Sequence, residues 1–189
     1  MDHFSVPNLR VGNLLLATPF LNDANFVRSV ILLCDLEDQG SVGLVINKPS
    51  ILNLGDLVKE LDFLECEVFV GGPVEQNTLH FIYFGNQLIS DSKFLAEGIW
   101  WGGDFPTLIH HLKNHQLNVN QVRFFLGYSG WGQGQLQTEL VEDTWVVYSG
   151  TTTTTVFESS SDQIWRLLMK EMGGEFEIQA NYPIDPRLN

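Results

Sequence analysis

Two short runs, Ser29–Leu36 and Ser41–Asn47, constrain this chain more than any other feature. Both are apolar on both faces, with Val30, Ile31, Leu32 and Leu33 in the first and Val42, Leu44, Val45 and Ile46 in the second. A strand wetted on one side alternates apolar and polar residues, whereas a strand without alternation needs cover on each side. The link Glu37-Asp38-Gln39-Gly40 is short, polar and ends in glycine, as a hairpin turn requires. These runs are therefore expected to form an antiparallel hairpin at the centre of a sheet.

The rest of the chain mixes strands and helices without a regular βαβ alternation. Gly12–Pro19, Glu67–Val70, Thr78–Phe84, Gln121–Tyr128 and Trp145–Tyr148 read as strands, and the threonine run Thr151–Phe157 reads as another. Asn53 is placed to cap a helix over Leu54–Leu61, whose Leu54, Leu57, Val58 and Leu61 form one apolar stripe. Asp104 is placed to cap a second helix running to His115, with Pro106 in its first turn. A short helix is expected from Gln135 to Glu142. A last one starts near Asp162, with Ser160 and Gln163 at capping-box spacing, buries Trp165, Leu168, Met169 and Met172, and stops at Gly173-Gly174. The dominance of hairpins predicts an α+β fold with a largely antiparallel sheet. No repeat or linker divides the 189 residues, so one domain over 1–189 is expected.

Composition narrows the function classes. Ten Lys and Arg against 23 Asp and Glu give a net charge of −13. The excess is spread evenly along the chain, so no basic arm is set up to meet a phosphate backbone, and direct nucleic-acid binding is not expected. Apolar runs such as Leu14–Ala17 and Val30–Cys34 fall far short of the roughly 20 residues that span a bilayer. No membrane association is expected. The N-terminus lacks the cationic and apolar regions of a secretory signal, and Cys34 and Cys66 stand alone, which reads as a cytoplasmic protein with two reduced, buried thiols.

Familiar chemical motifs are incomplete. Gly127-Tyr128-Ser129-Gly130-Trp131 misses the G-x-S-x-G elbow at its fifth residue, and glycines at 130, 132 and 134 do not make a dinucleotide fingerprint. What remains is a strand, a glycine-rich loop over Gly127–Gly134 and a helix start, which reads first as a tight turn and second as an anion cradle. His111 and His115 share a helix face at i, i+4, but two ligands do not make a zinc site, and neither a metal nor any other cofactor is expected. Among the scarce cations, Arg28 precedes the first central strand and Lys48 follows the second, so both fall at one end of the hairpin. There they either form an anion-binding spot or neutralise neighbouring carboxylates.

The succession Gly12-x-Leu-Leu-Leu-Ala17-x-Pro19, Phe26-x-Arg28-Ser29-Val30, Gly43-x-x-x-Asn47-Lys48-Pro49, Gly71-Gly72-Pro73-Val74 and Gly127-Tyr128-Ser129-Gly130-Trp131 resembles the YqgE/AlgH family of bacterial proteins. Gly134-Gln135-Leu136, Glu139 and the tail Pro183-x-x-Pro186-x-x-Asn189 extend the likeness over essentially the whole chain. The resemblance implies mixed, coiled, barrel-like sheets with helices packed outside. It carries no catalytic residues, since the family has no assigned biochemical role beyond a link to transcriptional control of alginate synthesis. Ser129, Gln133 and Gln137 depart from the commonest family pattern, and Gln137 removes a second carboxylate beside Glu139.

A binding or regulatory module is the leading expectation, reaching transcription indirectly through a protein partner. Its surface would be built from the NKP, GGPV and GYSGW segments, with Arg28, Asn47, Lys48, Gly72, Pro73, Tyr128, Trp131, Gln135 and Glu139 as candidate ligand- or partner-binding residues. The alternative is a hydrolase-type enzyme that holds a small anionic substrate with Arg28, Lys48 and the glycine loop.

Overall fold

The structure is a computed structural model that describes residues 8–86 and 88–184. Its strands are β1 (Leu14–Ala17), β2 (Val30–Glu37), β3 (Gly40–Val45), β4 (Pro49–Asn53), β5 (Glu67–Val70), β6 (Val74–Phe84), β7 (Lys93–Ala96), β8 (Ile99–Trp101), β9 (Val122–Gly132) and β10 (Trp145–Tyr148). The helices are α1 (Leu54–Leu57), α2 (Phe105–Lys113), α3 (Gln135–Val141), α4 (Thr153–Phe157), α5 (Ile164–Met172) and α6 (Gly174–Gln179). Together they make an α+β fold on one sheet ordered β10-β1-β2-β3-β9-β6-β8-β7, with β5 also on β9 and β4 on β5.

The expected hairpin is β2 and β3, and it is central. Val30, Ile31, Leu32 and Leu33 are fully buried, each worth about 1.5–3 kcal/mol as area removed from water. Alternate side chains feed two different cores, because successive residues of a strand point to opposite faces. Val30 and Leu32 join Leu14, Leu16, Trp165 and Met169 under α5. Ile31 and Leu33 join Leu15, Trp131, Leu136 and Trp145 under α3. A third core, around Phe81, Leu108 and Phe124, lies beneath α2.

Strand β9 is the spine of the molecule. Its C-terminal part pairs antiparallel with β3 from Ser129 to Gly132, while its N-terminal part lies between β6 and β5. The β5 pairing is parallel, so the sheet is mixed but mostly antiparallel. The sheet coils without closing into a barrel. Its end strands β10 and β7 do not pair with each other; β7 packs against β2, with Leu95 in one core with Leu32 and Cys34 and a Lys93–Asp35 ion pair of 2.6 Å.

Several local expectations are corrected. Residues 153–157 are helical, not extended: the Thr152 hydroxyl accepts from the Thr155 N–H at 3.0 Å, a cap that outweighs the strand preference of threonine. The glycines from Gly127 to Gly132 lie within β9, leaving only Gln133 and Gly134 as a turn, so the glycine-rich loop does not exist. The helix over Leu54–Leu61 breaks at Val58, which is extended, into α1 and a 3₁₀ turn, Lys59–Leu61. Helix α2 is capped by Asp104 as expected but ends at Lys113, so His115, at φ 53°, does not share a helix face with His111. Helix α5 starts at Ile164 without a side-chain cap, and α6 follows it. Cys34 is buried, Cys66 only half-buried, and both are free thiols. Pro186 and Asn189 of the tail motif lie outside the described residues.

Candidate functional site

The site is built where β3 leaves β9 and β5 joins it. Gly71 and Gly72 fill this junction. The Gly71 N–H donates to the Leu126 carbonyl, and the Gly71 carbonyl accepts from the Val45 N–H, both at 2.8 Å, and from the Ser129 hydroxyl at 3.2 Å. A Cβ on Gly72 would lie 2.3 Å from the Tyr128 carbonyl, so only glycine allows this approach. Asn47 ties the far end of the hairpin: its side chain accepts from the Val30 N–H at 2.8 Å and donates to the Arg28 carbonyl at 2.9 Å. These links hold the Asn47-Lys48-Pro49 corner opposite Gly72-Pro73.

Between the two corners opens a cleft of 450 Å³. Asn47, Lys48, Gly72 and Pro73 line it together with Asn25 and Gln76. The Lys48 ammonium donates to the Ala24 and Asn25 carbonyls at 3.3 and 2.5 Å. Burial holds its pKa below the ordinary lysine value, an effect the Asp23 carboxylate partly offsets. No carboxylate lines the cleft among the described residues.

The other candidate residues sit elsewhere. Arg28, at φ 49°, is not among the cleft-lining residues. Its guanidinium lies 4.6 Å from the centre of the Trp165 ring and donates to the Tyr182 carbonyl, and burial together with Arg166 lowers its pKa. Tyr128 stands opposite Val74 and presents its ring edge-on to His80, with 5.7 Å between centroids. Trp131, Gln135 and Glu139 bind one another. The Trp131 and Trp145 indoles both donate to one Glu139 oxygen, at 2.8 and 2.7 Å, and the Gln135 amide donates to the other at 2.9 Å. The Gln135 carbonyl oxygen in turn accepts from the Gly132 N–H at 2.9 Å.

Sequence reasoning passed over Asn25, Gln76, His80, Trp101 and Arg123. Arg123 had a signal: it is one of the scarce cations and sits inside the apolar run Val122–Leu126. Its guanidinium lies 4.4 Å from the Phe69 ring centre and donates to the Ile46 and Phe157 carbonyls at 3.0 and 3.3 Å, and burial pulls its pKa down to about 10. Gln76 had a weaker one, the polar run Glu75-Gln76-Asn77 interrupting a strand. No group of three or more metal-ligating side chains occurs among the described residues, and none of their helices is long and apolar enough to cross a membrane.

This coiled sheet with a shared spine defines a recognised architecture. The crystal structure of protein DIP2367 from Corynebacterium diphtheriae matches it with a TM-score of 0.77 over 93% of this chain and 94% of that one, at 20% identity. The solution structure of the AlgH protein from Pseudomonas aeruginosa matches with a TM-score of 0.73 over 97% and 98%, at 22% identity. Identities this low speak for the fold alone. A family model described as AlgH-like matches residues 14–177. UPF0301 proteins of Cytophaga hutchinsonii and Chlorobium limicola are each 37% identical, over 96% of this chain and 100% and 96% of theirs. The chain belongs to the AlgH-like family.

Proposed function

We propose that the protein is a binding module whose recognition site is the Lys48 cleft, and that the cleft takes a small anionic group such as a phosphoryl or carboxylate. One observation carries this reading. A lysine ammonium has three N–H donors, and Lys48 gives two to backbone carbonyls at the rim of a cleft that no described carboxylate lines. Carbonyl oxygens carry no formal charge, so Asp23 offsets the cation only in part, and a partly desolvated cation binds an anion more strongly than one in water. The amides of Asn25 and Gln76 add polar groups that suit oxygen ligands. Any effect on transcription would run through a protein partner, given the net charge of −13. The hydrolase reading needs Arg28, Lys48 and a glycine loop around one substrate. Here the Arg28 guanidinium is engaged by Tyr182 and the glycines are strand, so no observation favours it.

Thermal-shift titration with inorganic phosphate and a panel of phosphorylated and carboxylated metabolites tests the proposal. A ligand at 100 times its Kd should stabilise the protein by about 2.7 kcal/mol, or roughly 5–10 °C in Tm. Lys48→Ala should remove the shift while Arg28→Ala keeps most of it. Absence of any shift across the panel, or an equal shift in the Lys48 variant, rejects the site.

A further inference from the structure

A second cleft, of 350 Å³, lies on β6 beyond the end of β8, and its walls combine apolar side chains with unpaired backbone. Strand β8 pairs with β6 for three residues only, Ile99 to Trp101 against Phe84 to Ile82. The chain then leaves the sheet. Gly102 makes one further bond, from its N–H to the Phe81 carbonyl at 2.9 Å. Gly102 and Gly103 next turn the chain away at φ 65° and 113°, and the Asp104 N–H bonds instead to the Ser90 carbonyl. A Cβ on Gly103 would come within 2.7 Å of that same carbonyl, so the departure is built into the sequence.

The departure strands one edge of β6. In an antiparallel ladder the N–H and C=O of one residue point to the same neighbour, and alternate residues point the same way. Because the Phe81 carbonyl faces β8, the Phe81 N–H and both backbone groups of Leu79 face the space where β8 would have continued. The opposite side of the spine agrees: the Leu126 carbonyl, in register with Leu79, bonds across to Gly71 and not back to β6. Phe81 is buried, and among the described residues its N–H finds no partner on that side. This N–H faces the cleft, and an unpaired donor at an accessible strand edge is a place where another strand can add.

We propose that β6 accepts an extended peptide from another protein at Leu79–Phe81, added as an antiparallel strand that continues the line of β8. Three backbone groups set its register, and one large apolar side chain packs on the face shared by Phe81 and Phe105, while its neighbours in the added strand meet Trp101 on the opposite face. The rim supplies the charge preference. The exposed Glu75 acts on His80 at the cleft, Lys93 over the Trp101 ring at 5.5 Å is neutralised by its ion pair with Asp35, and the protein as a whole carries −13, so cationic residues flank the inserted side chain. This site is separate from the Lys48 cleft and does not depend on it.

Amide chemical shifts of the full chain test the proposal, titrated with capped pentapeptides Lys-Val-Z-Val-Lys in which Z is Trp, Phe, Leu or Ala. Saturable shifts should appear at the Leu79, Phe81 and Gly102 amides and the Trp101 indole, and the Ala peptide should bind at least about tenfold more weakly than the Trp peptide. N-methylating the valine amides should weaken binding by about tenfold, because it removes backbone donors without touching the protein. Phe105→Ala should lower affinity for the Trp peptide and leave the Ala peptide unchanged. Peptides that never bind, that bind equally when N-methylated, or that shift amides elsewhere overturn the assignment. So does a chain whose Leu79–Phe81 edge proves to be occupied by a second copy in solution.

Discussion

Two polar groups beside the same spine strand end differently. The Glu139 carboxylate is closed: two indole N–H groups and one amide fill its oxygens, and that amide's own carbonyl is held by the Gly132 backbone. Lys48 is open: its partners are carbonyls, and it borders a cleft. Both were candidate binding residues, Lys48 as a scarce cation at one end of the hairpin and Glu139 as part of the family-like stretch that follows Gly134. The contrast shows that a polar residue in an apolar setting signals only that something must satisfy it. Where the satisfaction is complete and internal, the residue specifies the fold, and where it is incomplete at a cleft, as at Lys48, the residue is left accessible to the anion proposed above.

Gly72 joins the two regions and should give the largest effect. Its missing Cβ lets the Gly72-Pro73 corner press on the Tyr128–Ser129 peptide, with contacts of 2.3 and 2.4 Å that backbone atoms cannot yield to. Gly72→Ala should therefore cost on the order of 4 kcal/mol and lower Tm by roughly 8–16 °C in thermal unfolding. A drop of only a degree or two would mean that the corner relaxes, and the cleft's rigid floor would be an illusion.

Glu139 tests the closed half. Glu139→Ala leaves the Trp131 and Trp145 indole donors without their carboxylate beneath α3 and should cost about 3 kcal/mol, seen as a lower urea midpoint with an unchanged slope. Glu139→Gln keeps one acceptor oxygen and should recover about half of that. Lys48→Ala, at the open end, should stay within about 1 kcal/mol of the parent. If the Lys48 variant proved the less stable, the assignment of structure to one region and binding to the other would be reversed.

How much of this was legible in the sequence depends on the distance over which each feature is decided. The hairpin of Ser29–Leu36 and Ser41–Asn47 was readable because non-alternating strands state their own environment. Asp104 was readable as a cap because its partner, Thr107, is three residues away. Residues 153–157 were not, since one hydroxyl bond from Thr152 decides between two states that threonine tolerates. The short strands β7 and β8 escaped notice because three or four residues carry too little periodicity. In the candidate site, Asn47, Lys48, Gly72 and Pro73 come together because each lies at the end of a strand that was recognised. Arg28 parts from them because its partners, Trp165 and Tyr182, lie more than a hundred residues away, and no local pattern announces such a contact. Trp131 and Glu139 were chosen as surface residues, and only the fold of α3 onto β9 turns them inward.

His80 provides the finest test, since it stands between the closed and open cases. Its Nε2 lies 3.1 Å from the Thr78 hydroxyl, which donates its own proton to the Glu75 carbonyl at 2.7 Å. The hydroxyl must then accept from Nε2–H, leaving Nδ1 as the atom that takes up a proton. The ring stacks on Trp101 at 6.5 Å and meets the edge of Tyr128, so burial lowers its pKa below the usual histidine value, with Glu75 opposing more weakly. A base whose folded pKa is depressed binds fewer protons folded than unfolded. The stability linked to His80 is therefore complete above about pH 6.5 and is lost as the pH falls from there through the folded pKa. His80→Gln should flatten the fall in Tm between roughly pH 7 and pH 5 by a small margin, because a half-exposed ring is well screened. Identical slopes in parent and variant would show that the imidazole is as well solvated folded as unfolded, and would place His80 with Lys48 on the open side of the comparison.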